Sequence, residues 1–168
     1  DKDCCCEFAP LNGEPTQTIN GETYYVLTGS ISSDRTLTND KKWLLSGGVF
    51  VANGTTLTIQ EGTRIFAADD ATTPFLSILR GGNINAIGTA SAPIVMTTIK
   101  TITGGADRGA WGGVIINGYG KINICSAADC TAEGEGGTGT YGGTDDSDNS
   151  GTLKYVRVEY AGKILGTD

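Results

Sequence analysis

The 168-residue chain contains no histidine, one methionine and four prolines. The absence of histidine excludes the Ser-His-Asp triad, the Cys-His dyad and every histidine-ligated metal site. Charged residues make up only 18% of the chain, and the net charge is -7. This acidic balance argues against a nucleic-acid partner, because phosphates require a Lys/Arg surface. The sequence also lacks a run of about 20 apolar residues, so it predicts no membrane-spanning helix.

Glycine, by contrast, is abundant: the chain has 26 glycines, roughly twice the normal usage. A chain so rich in glycine and so poor in charge is not a helical bundle, a coiled coil or a charged disordered tail. The composition favours short strands joined by glycine turns, because glycine adopts the positive φ that tight corners require.

Five cysteines fall into two groups. Cys125 and Cys130 enclose a short polar loop, which predicts a disulfide and an oxidising compartment, with free thiols or soft-metal ligands as the alternative. The consecutive Cys4, Cys5 and Cys6 cannot easily pair among themselves, because neighbouring residues rarely meet disulfide geometry. Their role stays open between pairing with another chain, soft-metal binding, a tether near a lipid-modified N-terminus, and one bridge into the nearby chain that leaves an odd thiol.

An internal repeat relates residues 57–67 to residues 76–86. At a shift of nineteen residues the identical positions are Leu57 and Leu76, Ile59 and Ile78, Gly62 and Gly81, Ile65 and Ile84, Ala67 and Ala86. Each unit consists of a short strand of L-x-I type, a glycine turn and a second short strand. A period near twenty residues fits one turn of a parallel β-helix, in which coils stack at the strand spacing of about 4.8 Å.

The sequence therefore predicts an all-β fold, a right-handed parallel β-helix or solenoid with coils of about 19–20 residues. Residues 1–30 are expected to form a tether and the start of an N-terminal cap, because a solenoid end exposes an unpaired strand edge. Residues 31–168 are expected to form the β-helix, incomplete at its C-terminal end, with an acidic loop inserted at about 125–151. Glu61 and Arg80, at equivalent positions of the repeat, are expected to stack as an outward ion pair.

Several short motifs occur in a fixed order along the chain. They are Trp43-Leu44-Leu45, Leu57-Thr58-Ile59, Arg80-Gly81-Gly82, Trp111-Gly112-Gly113-Val114-Ile115, Asp148-Asn149-Ser150-Gly151 and Leu153-Lys154-Tyr155-Val156-Arg157. Across about residues 30–162 this combination resembles the right-handed β-helix domain of secreted proteins and surface lipoproteins of Bacteroidota. The resemblance implies the fold and an extracellular or outer-membrane surface location, and it implies no reaction.

The most distinctive stretch is the acidic, glycine-rich insertion, which has no Lys or Arg between Ile122 and Leu153. Hard cations such as Ca²⁺ bind several carboxylate and carbonyl oxygens on a flexible frame, so Asp145, Asp146 and Asp148 are candidate calcium ligands. The segment begins like an EF-hand loop, but an arginine occupies the position of the bidentate glutamate, which excludes an EF-hand. The alternative is a solvated insertion that ends in a turn.

Three aromatic residues, Trp111, Tyr119 and Tyr141, are candidates to stack on the sugar rings of a glycan. Trp111 lies within Gly-Ala-Trp-Gly-Gly. A core or corner position explains it as well as an exposed one.

These features favour a non-enzymatic scaffold or binding module at the cell surface, with adhesion, assembly or glycan contact as its role. Other surface proteins or glycans are the expected partners. No catalytic residue is assigned, and calcium is the one cofactor considered. Membrane attachment is expected only through a lipid anchor upstream. We also expect either end-to-end self-association or a longer natural chain.

Two alternatives remain for the function. One is a β-helix lyase or glycoside hydrolase that acts on polysaccharide, or a remnant of such an enzyme. The other is a subunit of an extracellular filament that stacks through open β-helix ends.

Overall fold

Short strands account for nearly all the regular structure. The computed structural model describes residues 14–127 and 129–166. The strands are β1 (Thr16–Ile19), β2 (Glu22–Ile31), β3 (Arg35–Leu37), β4 (Lys42–Val51), β5 (Thr56–Ile59), β6 (Arg64–Ala67), β7 (Phe75–Ile78), β8 (Asn83–Ile87), β9 (Ile94–Thr98), β10 (Gly113–Ile116), β11 (Ala132–Glu133), β12 (Thr140–Tyr141), β13 (Gly151–Lys154) and β14 (Val156–Val158). These ranges also hold one short helix, α1 (Lys100–Thr103), and a 3-10 turn at Glu135–Gly137. No helix among the described residues is long and apolar enough to cross a membrane.

Parallel pairing arranges the strands in three faces, which the chain visits in the same order. The first face contains the first halves of β2 and β4, followed by β6, β9 and β14. The second contains the second halves of β2 and β4, followed by β7 and β10. The third contains β3, β5, β8 and β13. The predicted all-β architecture is therefore confirmed.

Inward side chains form columns that run from coil to coil. Two of these columns are Trp43, Ile65, Met96 and Val158 on the first face, and Leu37, Ile59, Ala86 and Leu153 on the third. Trp43, Ile65 and Met96 are fully buried. Burial of an apolar side chain of this size contributes about 1.5–3 kcal/mol, so the columns hold the faces together.

The first coil is close to the predicted length of about 19–20 residues, since Gly29 pairs with Val49, but the later coils are longer and less regular. On the first face Lys42 pairs with Arg64, and Arg64 pairs in turn with Val95, so the second step along the chain is clearly longer than the first. On the third face the step from Ile84 to its partner Gly151 is longer still. The predicted length thus holds for the first coil and not for the later ones, because the connections between their strands vary in length while the ladders stay in register.

The nineteen-residue repeat marks a corner rather than a coil. Leu57 in β5 pairs with Ile84 in β8, whereas Leu76 lies in β7 on the second face. The repeat therefore matches two different corners. The corner around Gly62 leads from the third face to the first, and the corner around Gly81 leads from the second face to the third. Both glycines have positive φ, 73° and 76°, so the identity reflects one local turn used at two corners.

The two ends of the β-sheet structure differ. At the N-terminal end β2 already pairs with β4 from Tyr24, before the expected start at residue 31, and β1 adds an antiparallel strand to that edge. At the C-terminal end β10, β13 and β14 each have one strand partner among the described residues. The inward side chains of Ile116, Leu153 and Val158 are consequently 44%, 47% and 46% exposed.

Candidate functional site

The long connection between β10 and β13 folds back over the outer side of the second face. Ser77 lies between two core residues of β7, so its side chain points outward, yet it is fully buried. Its Oγ donates a hydrogen bond to the carbonyl of Thr138 at 2.5 Å, and Nδ2 of Asn117 donates to the same carbonyl at 3.1 Å. These two side chains fasten the connection to the sheet beneath it.

Arg80 provides a second attachment point for the connection. Its Nη1 donates to the carbonyl of Gly142 at 2.8 Å, and its guanidinium lies over the ring of Tyr119 at 4.9 Å from the centroid. Arg80 lies two residues after the end of β7, so a residue next to the rigid sheet contacts the connection near its start, at Tyr119, and again after β12, at Gly142.

The three candidate calcium ligands are each engaged within the connection itself. Oδ2 of Asp148 accepts a hydrogen bond from the backbone of Tyr119 at 2.7 Å. Oδ1 of Asp146 accepts one from the backbone of Lys121 at 3.0 Å, and its Oδ2 lies 3.0 Å from Lys121 Nζ. Asp145 accepts from the backbone and hydroxyl of Ser147 at 2.9 and 2.6 Å. Asp145 therefore closes a local turn, whereas Asp146 and Asp148 bind the start of the connection at Lys121 and Tyr119.

These contacts have electrostatic consequences. The hydrogen bonds from Ser147, the side-chain one first, hold the pKa of Asp145 below its ordinary value. The backbone hydrogen bond from Lys121 does the same for the pKa of Asp146, helped by the Lys121 side chain. In residues 14–127 and 129–166 no three His, Cys, Asp or Glu side chains are grouped to hold a metal ion. Calcium at these aspartates thus stays a prediction, and the arrangement does not bring the three together as one ligand set.

Cys125 and Cys130 form the predicted disulfide pair. Their Cα atoms are 6.0 Å apart, and their sulfur atoms lie at bonding distance. The pair directly precedes β11, which forms a small antiparallel hairpin with β12. The cross-link therefore fixes the entry to this hairpin. Cys4, Cys5 and Cys6 lie outside the described residues.

Two cavities share the β11–β12 hairpin as a wall, and we call them together the hairpin groove. The larger, about 540 Å³, is lined by residues that include Ile115, Asn117, Lys121, Glu135, Tyr141 and Leu165. The smaller, about 330 Å³, is lined by Asn53, Leu79, Arg80, Tyr119, Glu133, Gly139 and Thr140. The groove thus combines aromatic and apolar surface with carboxylate, amide and cationic groups, which is a composition suited to a polar ligand with flat faces.

The aromatic candidates for glycan stacking separate into two groups. Tyr119 and Tyr141 are half-buried and line neighbouring cavities of the hairpin groove. Trp111 is fully buried, and its Nε1 donates to the carbonyl of Glu159 at 2.8 Å. Trp111 is therefore a core residue whose ring a sugar cannot reach, which corrects its place in the stacking set.

The expected ion pair between Glu61 and Arg80 was wrong. In the described part of the chain no salt bridge joins them, and Arg80 contacts Tyr119 and Gly142 instead. The reason is the corner relationship: Glu61 precedes the first face, whereas Arg80 precedes the third.

Sequence reasoning missed Ser77, Asn117 and Glu133 as parts of the site. Ser77 and Asn117 are distant along the chain, and their hydrogen bond depends on the parallel pairing of β7 with β10. A serine at an outward strand position also matches an ordinary solvent-facing residue. Glu133 could have been identified from the sequence by one feature, its position in the acidic insertion beside the cysteine pair.

A family model described as a pectate-lyase-like β-helix domain matches residues 29–168. This match covers most of the chain, so the chain belongs to that family and contains a parallel β-helix domain. Comparison with curated proteins and with solved structures finds no match.

Proposed function

We propose that this chain is a non-enzymatic binding module that contacts glycans at the cell surface or outside the cell. One observation carries the proposal: the hairpin groove places Tyr119 and Tyr141 in adjacent cavities, each beside hydrogen-bonding side chains. Flat aromatic rings pack on sugar rings, while carboxylates and amides bind hydroxyl groups. Because Ser77, Asn117 and Arg80 fasten the groove to a rigid sheet, it loses little conformational entropy on binding.

Three further features are part of the proposal. The paired Cys125 and Cys130 support an oxidising, extracellular compartment, where such cross-links persist. The coils wind in the right-handed sense, which parallel strand crossovers almost always take. An N-terminal cap, of which β1 is part, closes the first coil.

A binding experiment tests the module. Purified protein is applied to an array of neutral and acidic glycans, and positives are measured by calorimetry. We expect Tyr119→Ala and Tyr141→Ala each to weaken binding by roughly tenfold, the loss typical of a buried aromatic contact. Tyr160→Ala is the matched control, because Tyr160 is 41% exposed and lines neither cavity. Equal losses in all three variants would argue against the groove.

A polysaccharide-active enzyme is the second candidate. The family description supports it, and so does the shared cavity of Glu133 and Arg80, a carboxylate and a base. Incubation with a polysaccharide panel, read by new reducing ends and by absorbance of unsaturated products, separates the two functions. If the protein releases products and Glu133→Gln abolishes that release, the protein is an enzyme and the binding-module proposal is rejected.

A filament subunit is the third candidate, and the exposed C-terminal strand edges favour it. Sedimentation velocity over a range of concentrations tests for assembly. Leu153→Lys places a charge on the open apolar end and should abolish assembly, whereas Ile102→Lys, on α1, should not. A monomer at every concentration would reject this candidate.

A further inference from the structure

We infer that the hairpin groove selects uncharged sugar chains and discriminates against polyuronates, although the family is named for pectate lyases. The inference rests on the proposed function, since it specifies the ligand class of the same groove. It follows from which charges around the groove are free and which are already engaged.

Each cation of the groove already has a protein partner. Nζ of Lys121 lies 3.0 Å from Oδ2 of Asp146, so its charge is paired. Arg80 donates to the carbonyl of Gly142 and stacks on Tyr119. A uronate carboxylate that approached Arg80 would enter the cavity that Glu133 also lines.

The groove also has one carboxylate for each of these cations, so no cation is in excess. Glu133 and Glu135 are exposed and line one cavity each, and the hydroxyl of Thr140 donates to Oε1 of Glu133 without removing its charge. The other four carboxylates between Ile122 and Leu153 line neither cavity, but this stretch has no Lys or Arg to offset their negative field. A polyuronate carries one negative charge on every ring, so each bound ring would add repulsion from these carboxylates, most strongly at low ionic strength.

The same groups suit the hydroxyls of a neutral sugar. Ionised carboxylates are strong hydrogen-bond acceptors, and a hydroxyl donates to them without bringing a charge of its own. The Asn53 amide adds both a donor and an acceptor to the smaller cavity. Stacking on Tyr141, or on the face of Tyr119 that Arg80 does not cover, needs only the apolar face of a sugar ring, which a neutral chain offers without a charge.

Calorimetry with hexasaccharides of equal length tests the inference on the whole chain. The probes are neutral xylo-, cello- and manno-hexaose and the acidic hexagalacturonate, each with and without Ca²⁺. We expect at least one neutral probe to bind at least about tenfold more tightly than hexagalacturonate. Equal or tighter binding of hexagalacturonate, with or without Ca²⁺, overturns the inference but leaves the glycan-binding module intact. Binding to none of the probes overturns the proposed function, and the inference fails with it.

Charge-removal variants test the cause. Glu133→Gln and Glu135→Gln keep the side-chain shape, and together they should bring hexagalacturonate binding closer to that of the neutral probe. Glu61→Gln is the control, because this exposed carboxylate lines neither cavity. If the preference is unchanged in the double variant, or if Glu61→Gln changes it equally, the carboxylates of the groove are not its source.

Discussion

The guanidinium of Arg80 lies over the ring of Tyr119, 4.9 Å from its centroid. Arg80 follows β7 and Tyr119 follows β10, and these two strands are parallel neighbours on the second face. The stack therefore joins the long connection to the sheet at the place where the connection begins.

Arg80→Ala should destabilise the protein by about 2 kcal/mol. The variant loses a charge-assisted hydrogen bond to Gly142 and a cation–π contact, which are typically worth about 1.5–3 and 0.5–1 kcal/mol before solvent exposure reduces them. Urea denaturation measures the loss. Arg64→Ala is the control, since Arg64 is exposed and belongs to no salt bridge in the described residues. A similar loss in both variants would mean that the contact with Tyr119 has no specific role.

Asn117→Ala should cost more stability than Ser77→Ala. Asn117 Nδ2 donates to both Ser77 Oγ and the Thr138 carbonyl, so its removal leaves two buried groups with fewer partners. Removal of the Ser77 hydroxyl leaves the carbonyl still bonded to Asn117. We expect about 2–3 kcal/mol for the first change and about 1 kcal/mol for the second. Denaturation of both variants and of the double variant would show whether the losses are coupled, and the reverse order would contradict this hydrogen-bond assignment.

Acid should loosen the connection through Asp145 and Asp146. Both have a folded-state pKa below the ordinary value of 3.8. The stability they add is therefore present above that value and is lost as the pH falls through the lower, folded-state pKa. The double variant Asp145→Asn/Asp146→Asn should show a shallower decrease of stability between about pH 5 and pH 2. Asp40→Asn, an exposed carboxylate elsewhere, should keep the wild-type slope in the same denaturation series.

Reduction of the disulfide should destabilise the connection. Cys125 and Cys130 are separated by five positions. Closing so short a loop reduces the conformational entropy of the unfolded chain, which stabilises the folded protein by about 2 kcal/mol in the entropic account. Denaturation with and without reductant measures the difference. The double variant Cys125→Ser/Cys130→Ser should be insensitive to reductant, and a remaining effect would implicate other cysteines.

The sequence predicted much of the fold because its signals were local. The alternating Leu57 and Ile59, and likewise Leu76 and Ile78, lie inward in β5 and β7 as expected. The corner glycines also lie where the repeat placed them. The nineteen-residue period did not correspond to one coil, because a turn of this kind does not encode which of the three faces it joins.

The site was less predictable than the fold because its contacts are distant along the chain. Tyr119 and Tyr141 were candidates on chemical grounds, but the same grounds proposed Trp111, which is in the core. Nothing within a few residues of Trp111 distinguishes an exposed ring from a buried one. The pairing of β7 with β10 decides which side chains meet, and that pairing spans a connection of irregular length.

Neighbouring strands of the third face are joined by very different lengths of chain, and this difference affects the order of folding. Thr56 meets Asn83 after a single short coil, whereas Ile84 meets Gly151 only after a much longer stretch of chain. The entropy of closing the longer loop is lost before β13 gains any contact, so β13 should join late and detach early. Its backbone amides should accordingly exchange with solvent faster than those of β5. The first coils should thus be the most stable part of the fold. β13, the strand at the end of the connection that forms the hairpin groove, should be the least stable.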